Sequence, residues 1–304
     1  MRLALDARTA AFGGLIDYAG TFPPASLPMD GAVETFRRIR TEPNRWVMGR
    51  FLCRASELEQ LAAVATGSMR RGEPPWSIGV IFDITHGAAA ALSQEFQREM
   101  APVMSVASAE ARTTSEASPG ALIDAMATID PDIATFIEVD TAADLTTQIR
   151  EISSALRERG RPGGVKLRCG GTTPEAFPTV GDVSSFIWEA SGSSVPFKAT
   201  AGLHQPIRHR DEDLGVWRHG FVNILLASVA CDAGESRSTV EQIVAETDPD
   251  AFTIGTMAAS WRDVSLPGAA IARSRRSGFM AFGSCDVDEP LNELTTHAFL
   301  GDGA

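Results

Sequence analysis

Short runs rich in β-branched and aromatic residues alternate along the chain with longer runs whose apolar positions recur every three or four residues. That alternation predicts parallel strands joined by helices. Eight strands can be drawn: LIDYAG (15–20), WVMGRFLC (46–53), IGVIFD (78–83), VMSVAS (103–108), ATFIEVD (134–140), GVKLRCG (164–170), PFKATAG (196–202) and GFMAFGSC (278–285). Between them, DGAVETFRRIR (30–40) sets Val33, Phe36 and Ile39 on one helical face, and DLTTQIREISSALRER (144–159) does the same with Leu145, Ile149, Ile152 and Leu156. Eight repeats predict a (β/α)8 TIM barrel forming a single domain over 1–304, with a doubly wound open sheet as the competing arrangement. Two regions exceed the minimal repeat. The polar connection LHQPIRHRDEDLGVWRH (203–219) has the length of a lid or binding loop without structure of its own, and 235–277 reads as extra helices before strand eight. No internal repeat, low-complexity tract or Pro/Gly-rich linker divides the chain.

Bulk composition narrows the setting. A length of 304 residues suits a barrel, which takes about 250. The longest strongly apolar stretch, ILLASVA at 224–230, is far short of the roughly 20 residues of a membrane span, so no membrane partner is expected. MRLALDARTAAFGG at the start carries Arg2 and Asp6 and lacks the apolar centre of a secretory leader, which points to the cytoplasm. A net charge of −12 argues against nucleic acid, and the basic run ARSRRS (272–277) reads as a solvated turn. Cys53, Cys169, Cys231 and Cys285 form no Cys-x-x-Cys pair, and a chain of this size needs no disulfide, so they are expected as free thiols.

Of 27 basic residues only Lys166 and Lys198 are lysine. Both fall near the ends of neighbouring strands, six and seven, where a barrel places its active site. Arginine serves wherever a fixed cation suffices, but its guanidinium cannot lose a proton to attack a carbonyl and form an imine. A neutral amine near pH 7 requires burial or a second cation close by. Two ammoniums about 6 Å apart at an effective dielectric near 20 repel by about 3 kcal/mol, or about two pKa units. One lysine is therefore expected to activate the other. Lys166 shares a face with Arg168, and Lys198 with Thr200, so both strands aim polar groups into the barrel.

With these lysines on strands six and seven, LIDYAGTFPPA at 15–25, FIEVD at 136–140 and FGSC at 282–285 resemble the deoxyribose-phosphate aldolase group of class I aldolases. The resemblance implies a barrel with a Schiff-base lysine on strand six, an activating lysine on strand seven, a small carbonyl substrate that can be anionic, and no cofactor. Position then favours Lys166 as nucleophile, while KATAG at 198–202 matches that family's lysine motif better than KLRCG at 166–170. The family relays protons through an acid on strand four. VMSVAS has none, so Glu138, Asp140 or Asp83 is expected to serve instead.

Further candidates line the same rim. Period-two spacing puts Glu138 and Asp140 on one face of strand five. Asp17 and Tyr18, the only tyrosine, face opposite ways, so one of them can meet substrate. Gly283 and Ser284 lead toward a helix at 290–297 whose amides could hold a phosphate or carboxylate with help from Arg168. Thr200 and His204 complete the substrate-binding set. His209, His219 and His297 read as loop or surface residues. Cys53, Cys169, Cys285, His86 and His204 could converge on a metal, but no His-x-His or Cys-x-x-Cys spacing supports one, and the expected site is metal-free. The leading expectation is a carbon–carbon lyase. An isomerase, decarboxylase or metal-dependent hydrolase that uses the lysines to bind an anion, or a ligand-binding barrel without catalysis, are the alternatives. A homo-oligomer is compatible with the sequence.

Overall fold

Eight parallel strands close on themselves in the computed structural model, which describes residues 6–68, 72–113 and 117–301. They are β1 (Ile16–Tyr18), β2 (Met48–Arg54), β3 (Trp76–Ile81), β4 (Met104–Arg112), β5 (Ala134–Glu138), β6 (Gly163–Arg168), β7 (Phe197–Thr200) and, after two excursions, β13 (Phe279–Ser284). Each overlaps one of the eight predicted strands, and the order β1-β13-β7-β6-β5-β4-β3-β2 is that of a (β/α)8 barrel, which excludes the open sheet. Met1–Leu5 of the N-terminal stretch lie outside the described residues.

The helices follow from the pattern that predicted them. Met29–Ile39 buries Val33, Phe36 and Ile39, and Leu145–Glu158 buries Ile149, Ile152 and Leu156, capped by the Asp144 carboxylate on the Thr147 amide. Val180–Gly192 begins with a capping box between Thr179 and Asp182. ILLASVA lies in a helix, Phe221–Asp232, that is buried on nearly every side. Among the described residues no helix is long and apolar enough to cross a membrane.

The excursions differ from expectation in informative ways. The connection after β7 carries a hairpin, β8 (His209–Asp211) and β9 (Val216–Arg218), pinned by the Arg218 guanidinium on the Asp211 carboxylate at 2.5 Å. Its far end is tied down by His219, which is buried, not a surface residue, with Nε2 2.8 Å from the Pro178 carbonyl. The region before β13 holds helices Arg237–Ala245 and Gly268–Ser277, but also an antiparallel sheet of β10 (Phe252–Ile254), β11 (Ala258–Trp261) and β12 (Val264–Pro267). ARSRRS is therefore helical, not a turn. Arg275 within it turns inward beneath the barrel and donates to the carbonyls of Phe279, Met280 and Gly13.

Strand alternation sorts the side chains into two layers. Tyr18, Phe51, Cys53, Ile78, Val80, Ile137, Val165, Leu167, Ala199 and Phe282 face the helices as part of one continuous core. The opposite face turns Asp17, Leu52, Phe136, Glu138, Lys166 and Lys198 into the barrel, and the register pairs these residues across strands: Glu138 with Lys166, and Lys166 with Lys198.

Two irregularities break the simple alternation. Ile78 of β3 pairs with Val106 of β4, but the next residue, Gly79, pairs with Ser108, so Ala107 is an extra residue. Val106 faces the helices, yet Ser108 and Glu110 face the barrel interior, because the bulge inverts the pleat. A second slip sits in β2, where Met48 and Phe51 pair with Ile16 and Tyr18. It opens the β1–β2 ladder at Gly49, and the Asp17 carboxylate fills the opening by accepting the Arg50 amide at 2.7 Å. A Cβ at Gly49 would lie 2.4 Å from Asp17 Oδ1, so only glycine fits.

Candidate active site

Ionised side chains are rarely buried unless paired, because burial strips them of water. At the C-terminal end of this barrel, five of them share one buried cluster: Asp17, Glu110, Glu138, Lys166 and Lys198. Glu110 stands at its centre. One of its oxygens accepts from Lys198 Nζ in a short contact, and the other lies 2.9 Å from Lys166 Nζ. Lys198 Nζ is also 2.6 Å from Asp17 Oδ2 and sits 5.4 Å from the centre of the Phe136 ring. Lys166 Nζ is 3.5 Å from Glu138 Oε2.

The two lysines are thus bridged by one carboxylate, which holds their nitrogens roughly 4–7 Å apart, given charge-assisted bonds of about 2.7–2.9 Å on either side. They are not equivalent. Lys198 is 1% exposed and held closely by Asp17 and Glu110, whereas Lys166 is 7% exposed and its contacts with Glu110 and Glu138 are longer, 2.9 and 3.5 Å. Burial alone would push the Glu110 carboxyl up, but the ammoniums of Lys166 and Lys198 overrule it and hold the group down at about 2. Burial likewise pulls Lys166 down, and Glu110 and Glu138 outweigh it, so its ammonium is held above the ordinary lysine range. The expectation that one cation lowers the pKa of the other is corrected here. An anion lies between them, and it holds Lys166 in the ammonium form.

Glu110 was not among the residues anticipated from sequence. The expectation that strand four carries no acid is corrected: β4 runs to Arg112, two residues past Glu110, and counting alternate residues from Val106 aims Glu110 at the helices. The bulge at Ala107 is what brings it inside.

Arginines flank the cluster. Arg168 and Arg112, both largely exposed, lie 3.9 and 3.7 Å from Glu138 Oε1, and Arg50 is 3.6 Å from Asp17 Oδ2. Thr200 is level with Arg168 on one side and Gly283 on the other. No family model and no curated protein matches the chain. The site must therefore be read from its own geometry.

Several anticipated residues lie apart from the cluster. Asp140 is exposed beyond the end of β5, where alternation has ceased; its carboxylate accepts the Ala142 amide. Asp83 accepts from the amide and hydroxyl of Ser56. Tyr18 faces the helices, stacked on Phe36 and edge-on to Phe51, while Asp17 faces the interior. Gly283 points inward and is confined by Leu52. Ser284 is buried and donates to the Asp286 carbonyl. The helix that follows, Asp288–Thr296, does not offer free amides to an anion: Asp286 Oδ1 accepts from the amides of Asp288 and Glu289, and acidic residues crowd its first turn. His204 is drawn to this rim, with Nε2 3.9 Å from Cys285 Sγ and Nδ1 3.2 Å from Glu289 Oε2. The remaining cysteines are free thiols, and among the described residues no group of three His, Cys, Asp or Glu side chains is arranged to hold a metal ion.

Proposed function

We propose that the chain is an aldolase-like carbon–carbon lyase that forms a Schiff base between Lys166 and a small carbonyl compound, with Lys198 and Glu110 handling protons. The observation that carries this reading is the single buried carboxylate shared by both lysines. Buried ion clusters seldom add stability over apolar packing, and perturbed titratable groups concentrate where chemistry is done. Five ionised groups at the catalytic end of a barrel fit a reactive centre better than a structural one.

Lys166 is the nucleophile because it is the more accessible amine. It must first give up a proton, and Glu138, held only by contacts of 3.5–3.9 Å, is the acceptor freest to move. The amine then attacks the carbonyl carbon, and the oxygen leaves as water after receiving two protons. The iminium accepts the electron pair of the breaking carbon–carbon bond as an enamine, while the hydroxyl on the departing fragment loses its proton. Glu110 and Lys198, hydrogen-bonded to each other, form the pair through which protons reach and leave the reacting atoms. Arg168 and Arg112 would draw an anionic substrate group to the mouth.

Borohydride reduction in the presence of glycolaldehyde, acetaldehyde, pyruvate or dihydroxyacetone tests the proposal. A reduced adduct at Lys166 is expected. Adducts confined to the N-terminus, or none with any of these compounds, would refute it. The second reading, an isomerase or decarboxylase that uses both lysines as fixed cations, is favoured by the raised pKa of Lys166. It predicts that Lys166→Arg keeps activity, whereas the imine requires its loss.

A further inference from the structure

Cys285 follows β13, and His204 lies four residues beyond the end of β7, so the pairing of these two strands brings together residues 81 apart. The imidazole Nε2 faces the thiol at 3.9 Å, and its Nδ1 faces Glu289 at 3.2 Å, from the first turn of the following helix. A thiol, an imidazole and a carboxylate thus follow one another, the last two in ionic contact without a hydrogen bond.

The other three thiols provide an internal comparison. Burial pushes Cys53 and Cys169 well above the usual thiol range, and it raises Cys231 as well. Burial also acts upward on Cys285, but His204 and the Ala25 backbone outweigh it together with the opposing charge of Asp286, and the thiol falls below its ordinary value. His204 rises to about 9 through Cys285 and Glu289. Glu289 is in turn held down by His204, Gln205 and the more distant Arg218. Cys285 lies just past the end of β13, whose Ala281 is level with Lys198, so it stands beyond the lysines toward the C-terminal end of the barrel.

We infer that Cys285, His204 and Glu289 form a second covalent site above the lysine pocket, which captures an aldehyde as a reversible hemithioacetal. The sulfur attacks the carbonyl carbon, the carbon–oxygen π pair becomes an alkoxide, and the proton on His204 Nε2 passes to that oxygen. Expulsion reverses each step, with the proton returning to the imidazole. No oxidant or reductant is involved. The aldehyde as ligand rests on the carbonyl chemistry proposed for the lysine pocket below, whereas the activated thiol rests on its own geometry.

The test uses the full-length protein. Limiting iodoacetamide at pH 6.5, followed by peptide mass spectrometry, is expected to label Cys285 at least tenfold faster than Cys231, Cys53 or Cys169. His204→Gln should slow that labelling at least tenfold, and Glu289→Gln should slow it two- to fivefold. Because Glu289 lies at the surface, its variant serves should the histidine variant fail to fold. Equal labelling of Cys285 and Cys231, or a Glu289→Gln rate unchanged from wild type, overturns the activated thiol. [1-13C]Glycolaldehyde should give a hemithioacetal carbon resonance that Cys285→Ser removes; no such resonance, or one that survives in the variant, overturns capture. An imine at Lys166 gives a separate resonance and a borohydride-stable adduct, so failure of the lysine chemistry and failure of this site are read independently.

Discussion

Replacing Glu110 with Gln keeps the shape of the side chain and removes the one anion that both lysines share. In the wild type its carboxyl is held at about 2 against an ordinary value of 4.5, which at about 1.4 kcal/mol per pKa unit corresponds to about 3 kcal/mol of stability. That magnitude agrees with the roughly 3–5 kcal/mol lost when one partner of a buried ion pair is removed. Because the folded value lies below the unfolded one, the contribution is complete above about pH 4.5 and disappears as the pH falls toward about 2. Urea titrations at pH 7 should therefore find Glu110→Gln less stable by about 3 kcal/mol, with the gap narrowing steadily below pH 4.5. Borohydride trapping supplies a second readout. Without the intervening carboxylate the two ammoniums repel each other unshielded, so the neutral amine appears at lower pH and the alkaline rise of trapping moves toward neutrality, even as turnover fails. A variant within 1 kcal/mol of wild type at pH 7, or a trapping profile that does not move, would show that Glu110 does not join the lysines as described.

Lys198→Met should abolish turnover, and because it takes the shared cation from both Asp17 and Glu110 inside the barrel it should also cost about 3–5 kcal/mol by denaturant melting. Gly49→Ala places a methyl against the Asp17 carboxylate, with an expected loss of about 1–3 kcal/mol and a fall in activity as Asp17 leaves Lys198; thermal melting and turnover together check it. Asp140→Asn, remote from the cluster, should leave turnover within twofold of wild type. The Lys166 ammonium, held above its ordinary value, adds stability that is fully present below pH 10.5 and lost as the pH rises further, so Lys166→Met should narrow the stability gap to wild type only in strong alkali.

The strands were legible in the sequence because a barrel strand buries both faces, and IGVIFD or ATFIEVD leaves little doubt about its period. Lys166 and Lys198 were legible as neighbours because consecutive strands of a barrel pair in order. What escaped was local geometry. Glu110 follows a run of small residues, Ala107 to Ala109, that resembles the end of a strand, and the bulge there overturns any count of alternate positions. Asp140 failed for the opposite reason, since alternation was carried past Glu138, where pairing stops. Arg275 read as part of a solvated basic turn because nothing in ARSRRS tells that one arginine will meet three carbonyls beneath the barrel. The encounter of His204 with Cys285 is long-range, created where β7 pairs with β13 across the insertions between them.

The extra residue at Ala107 acts as a parity switch. On one side of it β4 behaves as an ordinary wall, presenting apolar side chains to the helices; on the other the same strand delivers an acid to the lysines. Removing that one alanine would change no charged residue and alter no composition, yet it would exchange the addresses of Ala109 and Glu110, sealing the acid against the helices and lining the pocket with a methyl group. For this barrel, chemistry depends on a residue count as much as on residue identity. An insertion or deletion upstream in β4 can therefore create or erase the centre without touching any group within it.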